Sequence, residues 1–334
     1  MASQPFAFLI CTERSGSNLL VKIIDSHPEF CGPSPSHLIR TFANNRLRYG
    51  DINQDDNWFA LCDDIADLLH NQLGKWRTQW STDRLQKEVK MRTLSAIFSH
   101  IYETEAQANG KRRIFIKENQ IYRFVSFILA SFLEAKFIYL VRDPRDMALS
   151  WKLSNNHPGM VHRAAHIWKD DQARCLEIYG YLKDTNQILL IRYEDLLSNT
   201  QETLQSICNF LTIIYDPLML EFYQDDLTLE NSQRLGDWSN LQKPVLKDNF
   251  NKYCHGLQRL EIAYIEALCG IEMEFFGYQL DVRQTEKISV LEKRLVEFEQ
   301  HTLLESEPLK QEEKKIRAKR LAVIEKIISR KLVS

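Results

Sequence analysis

The sequence has no Gly-Lys-Ser/Thr phosphate loop, no Cys-x-x-Cys pair, no apolar run long enough to cross a membrane and almost no net charge. Each absence removes a class of function. Without Gly-x-x-x-x-Gly-Lys-Ser/Thr, no lysine is placed on terminal phosphates beside a magnesium-binding hydroxyl, which disfavours a metal-dependent nucleotide kinase. Seven cysteines, odd in number and without metal-type spacing, point to buried thiols in a reducing cytoplasm. Lys and Arg number 43 against 45 Asp and Glu, for a formal net charge of −2, so cations act locally and no nucleic-acid-binding field is expected. Met1 to Pro5 lack the basic start of a secretion signal, which also favours the cytoplasm.

What is present begins at once. Phe6 to Cys11 is a continuous apolar run of the kind an interior parallel strand uses, and Thr12-Glu13-Arg14-Ser15-Gly16-Ser17-Asn18 follows as a polar turn. Leu19 to Ile24 then reads as a helical face. A turn between strand and helix points unpaired N–H groups and the positive end of the helix at one spot, which is how an anionic phosphate is held. Arg14 precedes the glycine, from where a guanidinium can offset charge as a phosphate ester bond breaks.

The pattern returns at Phe137 to Val141, followed by Arg142-Asp143-Pro144-Arg145 and a helix through Trp151. Asp143 is suited to the N-cap and Pro144 to the first helical position. Ser150 lies about two turns further on, which returns its hydroxyl to the face from which Arg142 projects and lets the two converge on a second anion.

Together these segments resemble the sulfotransferase superfamily that uses 3′-phosphoadenosine 5′-phosphosulfate. The resemblance covers roughly residues 5 to 280 and is closer to the bacterial and tyrosylprotein-sulfotransferase-like branches than to the cytosolic one, whose first loop carries Lys. It implies that Arg14, Ser15, Gly16, Ser17 and Asn18 hold the 5′-phosphosulfate end, and that Arg142 and Ser150 grip the 3′-phosphate. Two later segments match in order: Ile191 to Leu196, with Tyr193 near the adenine, and Lys243-Pro244-Val245 with Asn251-Lys252-Tyr253, with Lys252 on the 5′ side. The implied fold is α/β, a P-loop-like parallel sheet flanked by helices. The implied chemistry is in-line transfer of a sulfuryl group to a hydroxyl, or a nitrogen, of a small-molecule acceptor such as a secondary metabolite or carbohydrate. A sulfuryl group carries less negative charge than a phosphoryl group, so fixed cations can serve in place of a metal, and no metal is expected.

Such chemistry needs a second cation and a base. Lys117 ends the apolar strand Ile114-Phe115-Ile116, where relatives place a Lys facing the transferring group. Relatives carry a Glu shortly after the Asp-x-His-Pro segment. Here Asp25-Ser26-His27-Pro28 is followed by Ser34 and Pro35 at that place, and His37 is the nearest titratable substitute. Glu118 and His157 stand behind it as further candidates, while His27 reads as structural. The missing Glu keeps a second reading open, a non-catalytic nucleotide-binding scaffold on the same fold.

About 280 residues suffice for one α/β domain with a substantial core, so residues 1–280 are read as the sulfotransferase domain and 281–334 as a helical, coiled-coil-like appendage. Within the domain, residues 38–110 form a helical insertion expected to face the acceptor. Trp76 and Trp80, four apart, suit either core packing or a flat wall for a sugar or ring. His162 and His166 share a helix face, yet no third metal ligand is evident. Beyond Tyr278, Ile288, Leu291, Leu295 and Phe298 recur as a stripe; Glu305 to Pro308 interrupts it, and a second amphipathic helix carries Ile316, Leu321, Ile324, Ile327 and Ile328 flanked by basic residues. This tail can pair with a second copy, dock on its own domain or meet an anionic membrane; self-association as a homo-oligomer is the preferred expectation.

Overall fold

The computed structural model describes residues 6–332 apart from 133, 155, 158, 284 and 303–308. The cues at Met1 to Pro5 and at Glu305 to Pro308 therefore lie outside the described residues. The first strand, β1 (Phe6–Cys11), leads into α1 (Ser17–Asp25), and a short β2 (Phe30–Cys31) follows. The insertion contributes α2 (Leu38–Asn45), α3 (Asp55–His70), α4 (Thr82–Glu88) and α5 (Leu94–Ala108) before β3 (Arg113–Lys117). After α6 (Val125–Ser131) and β4 (Lys136–Val141) come α7 (Pro144–Lys152) and the long α8 (Val161–Leu182). Next are β5 (Ile188–Arg192), α9 (Tyr193–Ser198), α10 (Thr200–Leu211), α11 (Asp226–Arg234), the short α12 (Tyr253–Gly256) and α13 (Arg259–Phe275). Two helices, α14 (Ile288–Gln300) and α15 (Gln311–Ser329), close the chain.

The five strands form one parallel sheet in the order β2-β3-β1-β4-β5. It is covered on both faces, which is why its strands read as unbroken apolar runs rather than alternating ones. Phe6, Phe8 and Ile10 of β1 join the larger core beneath the insertion, α8 and α13, while Ala7, Leu9 and Cys11 join a second core formed with α1, α9 and α10. The fold is thus the α/β sheet flanked by helices that the sequence implied. Ligands in such sheets sit beyond the carboxyl ends of the strands, where strand order reverses. Here β1 lies between β3 and β4, so the residues after all three come to one edge.

The tail is docked on the body of the same chain. Leu291 and Leu295 of the stripe, and Ile327 of the last helix, are buried in the larger core. Buried Asp64 of α3 receives the Tyr49 hydroxyl, the Arg330 guanidinium and Lys326. Two residues that anchor the apolar stripe are therefore spent within the chain rather than left as a seam for a second copy. No described helix is long and apolar enough to cross a membrane.

Candidate active site

Asp143 caps α7 as expected: its carboxylate accepts from the Arg145 backbone N–H at 2.8 Å, with Pro144 at the first turn. The two arginines of this segment then diverge. Arg145 is buried and consumed by Asp143 and Glu266. Arg142 instead lies over the Tyr193 ring at 4.6 Å and donates to the Arg14 carbonyl at 2.9 Å, with its Nε buried and without a partner among the described residues.

The first loop is built under tight constraint. Gly16 has φ +82°, and a Cβ there would meet the Tyr193 ring at 2.2 Å, so only glycine fits between α1 and that ring. Arg14 also adopts a left-handed conformation, φ 67°, as does His37 at 61°. Such backbone strain in non-glycine residues gathers at working sites.

A cleft of about 790 Å³ opens at this edge of the sheet. Arg14, Gly16, Ser17, Asn18, His37, Lys117, Arg142, Ser150, Tyr193 and Lys252 all line it, so nearly every site residue expected from sequence is brought together. Ser15 lies beneath the loop, fully buried, its hydroxyl unpartnered among the described residues. Five buried side-chain polar atoms lack a partner among the described residues, and three belong to expected site residues: Ser15 Oγ, Arg142 Nε and His37 Nε2. Unsatisfied buried donors are costly and rare, and their concentration here marks a place prepared for a polar ligand.

Some placements differ from expectation. Ser150 accepts from Arg14 Nε at 3.1 Å rather than joining Arg142, because it faces the first loop across the cleft. Lys252 stands at the start of α12, and its loop is pinned by Asp146 of α7, which accepts from the Asn251 and Tyr253 backbone N–H groups at 2.5 and 2.9 Å. Trp76 is core, donating to the Ser34 carbonyl, and Trp80 lies partly buried under Arg84. Neither tryptophan lines the cleft. His27 is structural, bonded to the Ile214 carbonyl and the Glu29 N–H. A third group does join His162 and His166: the Glu292 carboxylate of α14, at 3.0 and 3.6 Å, which ties the tail to α8.

Among the candidate bases, Glu118 is occupied. It accepts from the Ile39 and Arg40 N–H groups and from the Ser36 and Tyr102 hydroxyls, which fixes the start of α2. His157 is also engaged at both nitrogens, Nδ1 with Ser154 Oγ at 2.9 Å and Nε2 with Glu13 at 3.1 Å. Glu13 itself, unremarked in the sequence because it falls inside the first loop, lines the cleft beside Arg14. Burial pushes its carboxyl up, but the His157 hydrogen bond and the Lys117 charge outweigh burial, so Glu13 is held below the ordinary glutamate value. Burial lowers the Lys117 ammonium, opposed by Cys11 and Glu13, and its Nζ donates to Asn119 at 2.6 Å. His37 is drawn well below the ordinary histidine value by burial and by the cations Arg320, Lys117 and Arg40.

The cleft has a second wall that the sequence did not disclose. Arg14 is paired with Asp237 at 2.7 Å, and Asp237 also accepts from Asn156. Glu313 of α15 holds the Gly236 N–H and Arg317, and both Arg317 and Leu309 line the cleft.

Comparison with known proteins bears on the family and the fold. The sequence model described as Sulfotransferase family matches residues 5–217. No curated protein sequence matches the chain. Among solved structures, the sulfotransferase domain of the olefin synthase from Synechococcus PCC 7002 is 20% identical, with a TM-score of 0.54, covering 90% of this chain and 96% of that one. The sulfotransferase domain from the curacin biosynthetic pathway is 18% identical (TM-score 0.47; 88% and 98% covered). Mouse sulfotransferase SULT7A1, complexed with PAP, is 14% identical (TM-score 0.44; 89% and 90% covered). The first of these shares the fold.

Proposed function

Because the chain belongs to the sulfotransferase family, we propose that it transfers a sulfuryl group from 3′-phosphoadenosine 5′-phosphosulfate to a hydroxyl of a small molecule. The observation that carries this reading is the meeting of two phosphate-type loops in one cleft, with buried polar atoms at both, Ser15 Oγ and Arg142 Nε, that have no partner among the described residues. When bound, the nucleotide supplies the activated sulfuryl group.

The residues divide the work by position. Ser15, Gly16, Ser17 and Asn18, with the start of α1, hold the 5′ end through backbone and hydroxyl donors. Lys252 adds a cation on the 5′ side, Arg142 holds the 3′-phosphate, and Tyr193 offers a flat ring near the adenine. Arg14 and Lys117 supply fixed positive charge where negative charge develops on the leaving and transferring oxygens. Ser150 orients Arg14 through its Nε. Asp237, which holds the same guanidinium, competes with the more highly charged phosphosulfate for it.

Glu13 serves as the base in this reading, in place of His37. Its carboxylate is ionised and steadied by His157, whereas the Nδ1 of His37 is taken by Arg320. A carboxylate within reach of an acceptor hydroxyl removes its proton as the oxygen attacks.

The test is release of adenosine 3′,5′-bisphosphate from the phosphosulfate donor, followed chromatographically with a panel of phenols, alcohols and sugars. Acceptor-dependent release that is lost in Lys117→Met supports the proposal. Nucleotide binding with no release from any acceptor favours the non-catalytic scaffold.

A further inference from the structure

We propose that Arg320, on the C-terminal helix α15, fixes the tautomer of His37, so that His37 meets the ligand as an Nε2–H hydrogen-bond donor and α15 is a working part of the site. The identity of that ligand rests on the sulfuryl-transfer reading; the tautomer does not.

Arg320 is 4% exposed although it lies on the last helix of the chain. Its guanidinium is held by three backbone carbonyls, Leu68 and Asn71 at the end of α3 and Ser36 just before His37. The first two are the groups a helix C-terminus leaves unpaired, which suits a cation. The remaining contact is Arg320 Nη2 to His37 Nδ1 at 3.3 Å.

A guanidinium has five donors and no acceptor, so the contact is favourable only if Nδ1 carries a lone pair. A neutral imidazole then bears its single proton on Nε2. Protonating both nitrogens would set an imidazolium against Arg320, with Lys117 and Arg40 also nearby. Two carboxylates act on the same cations: Glu118 has its oxygens occupied by Ile39, Arg40, Ser36 and Tyr102, and Glu13 is bonded to His157. Neighbouring charge therefore favours the neutral ring.

The consequence falls on Nε2, which is buried and without a partner among the described residues, in a residue that borders the cleft. A buried N–H with no acceptor is a donor awaiting an oxygen, and the ligand supplies it. In sulfuryl transfer that oxygen belongs to the transferring group or to the acceptor, and His37 orients or stabilises it without taking a proton. The left-handed backbone of His37 holds the ring in this position against its local preference. Arg320 lies on the helical tail, outside the residues 5–217 matched by the family model.

The test reads the tautomer directly. Full-length protein labelled with ¹⁵N-histidine is examined at neutral pH by long-range ¹H–¹⁵N correlation, with His37 assigned by its disappearance in His37→Gln. The expected wild-type pattern is the Nε2–H tautomer, replaced by a tautomer mixture in Arg320→Met and partly restored in Arg320→Lys. An Nδ1–H tautomer or an imidazolium in the wild type overturns the proposal, as does an unchanged His37 pattern in folded Arg320→Met. If Arg320→Met does not fold, the wild-type pattern and Arg320→Lys decide. Failure to bind adenosine 3′,5′-bisphosphate would count against the sulfuryl-transfer reading while leaving the tautomer result standing.

Discussion

Arg14 and Asp237 form a 2.7 Å ion pair across 223 residues of sequence, inside the cleft and between the strained first loop and a short 3₁₀ helix, Gly236–Gln242, whose start Glu313 of α15 holds. The guanidinium is thus already bound to an anionic group. Burial pushes the Asp237 carboxyl up, and Arg14 and Asn156 more than reverse it, so the pair stays charged at neutral pH.

Ligand binding must replace this contact. Asp237→Asn is predicted to tighten adenosine 3′,5′-bisphosphate by about fivefold, on the order of 1 kcal/mol for a partly exposed pair. Isothermal titration checks it; weaker binding would mean that Asp237 positions Arg14 instead of competing for it.

Gly16 lies where both backbone sign and space exclude a side chain. Gly16→Ala is predicted to destabilise the protein by about 2–3 kcal/mol, through the left-handed conformation and the clash with Tyr193. Thermal unfolding reads the loss, and nucleotide binding should weaken with it. A variant with unchanged midpoint would show that Tyr193 can move aside.

Glu13 is assigned the proton. Glu13→Gln keeps shape and most hydrogen bonding while removing the base, so bisphosphate release should slow by about 10²-fold or more, with nucleotide affinity little altered. A kcat near wild type would return the base to another residue.

Stability should carry a pH signature from Asp171, which is buried beneath the first strand and accepts from the Tyr122 hydroxyl. Burial, opposed by the Tyr122 and Thr12 hydrogen bonds, raises its pKa to about 6. A carboxyl raised in the folded state binds its proton more tightly there. Its contribution is therefore fully present below about pH 4, the unfolded value, and is lost as pH rises through about 6. Asp171→Asn, which stays neutral, should gain about 2 kcal/mol relative to wild type between pH 4 and pH 7. Denaturant titrations at the two pH values measure the difference; a pH-independent difference would contradict it.

The two phosphate-type loops were legible because each is a local pattern, an apolar strand, a polar turn, then a helix, and in the second Asp143 and Pro144 mark where the helix starts. Lys117 was legible as the end of a strand. The second wall of the cleft was not, because Asp237 lies in a short 3₁₀ helix, Gly236–Gln242, without an amphipathic pattern and meets Arg14 only through the tertiary fold. Amphipathic spacing shows that a helix buries a face without naming what it buries against. The stripe of Leu291 and Leu295 was therefore read toward a second copy, while the structure seats both residues on the chain itself. Arg320 was read as one more basic residue on a charged helix, and only its burial against α3 singles it out. Glu13 was overlooked within a loop read for its arginine and glycine.

The central claim is that Arg142 and the first loop jointly hold a nucleotide with phosphates at both the 3′ and 5′ positions. Isothermal titration of the wild type and Arg142→Ala with adenosine 3′,5′-bisphosphate and with adenosine 5′-monophosphate tests it most directly. The account predicts a preference of at least tenfold for the bisphosphate, about 1.4 kcal/mol, abolished in Arg142→Ala. Equal affinity of the wild type for the two nucleotides would contradict it.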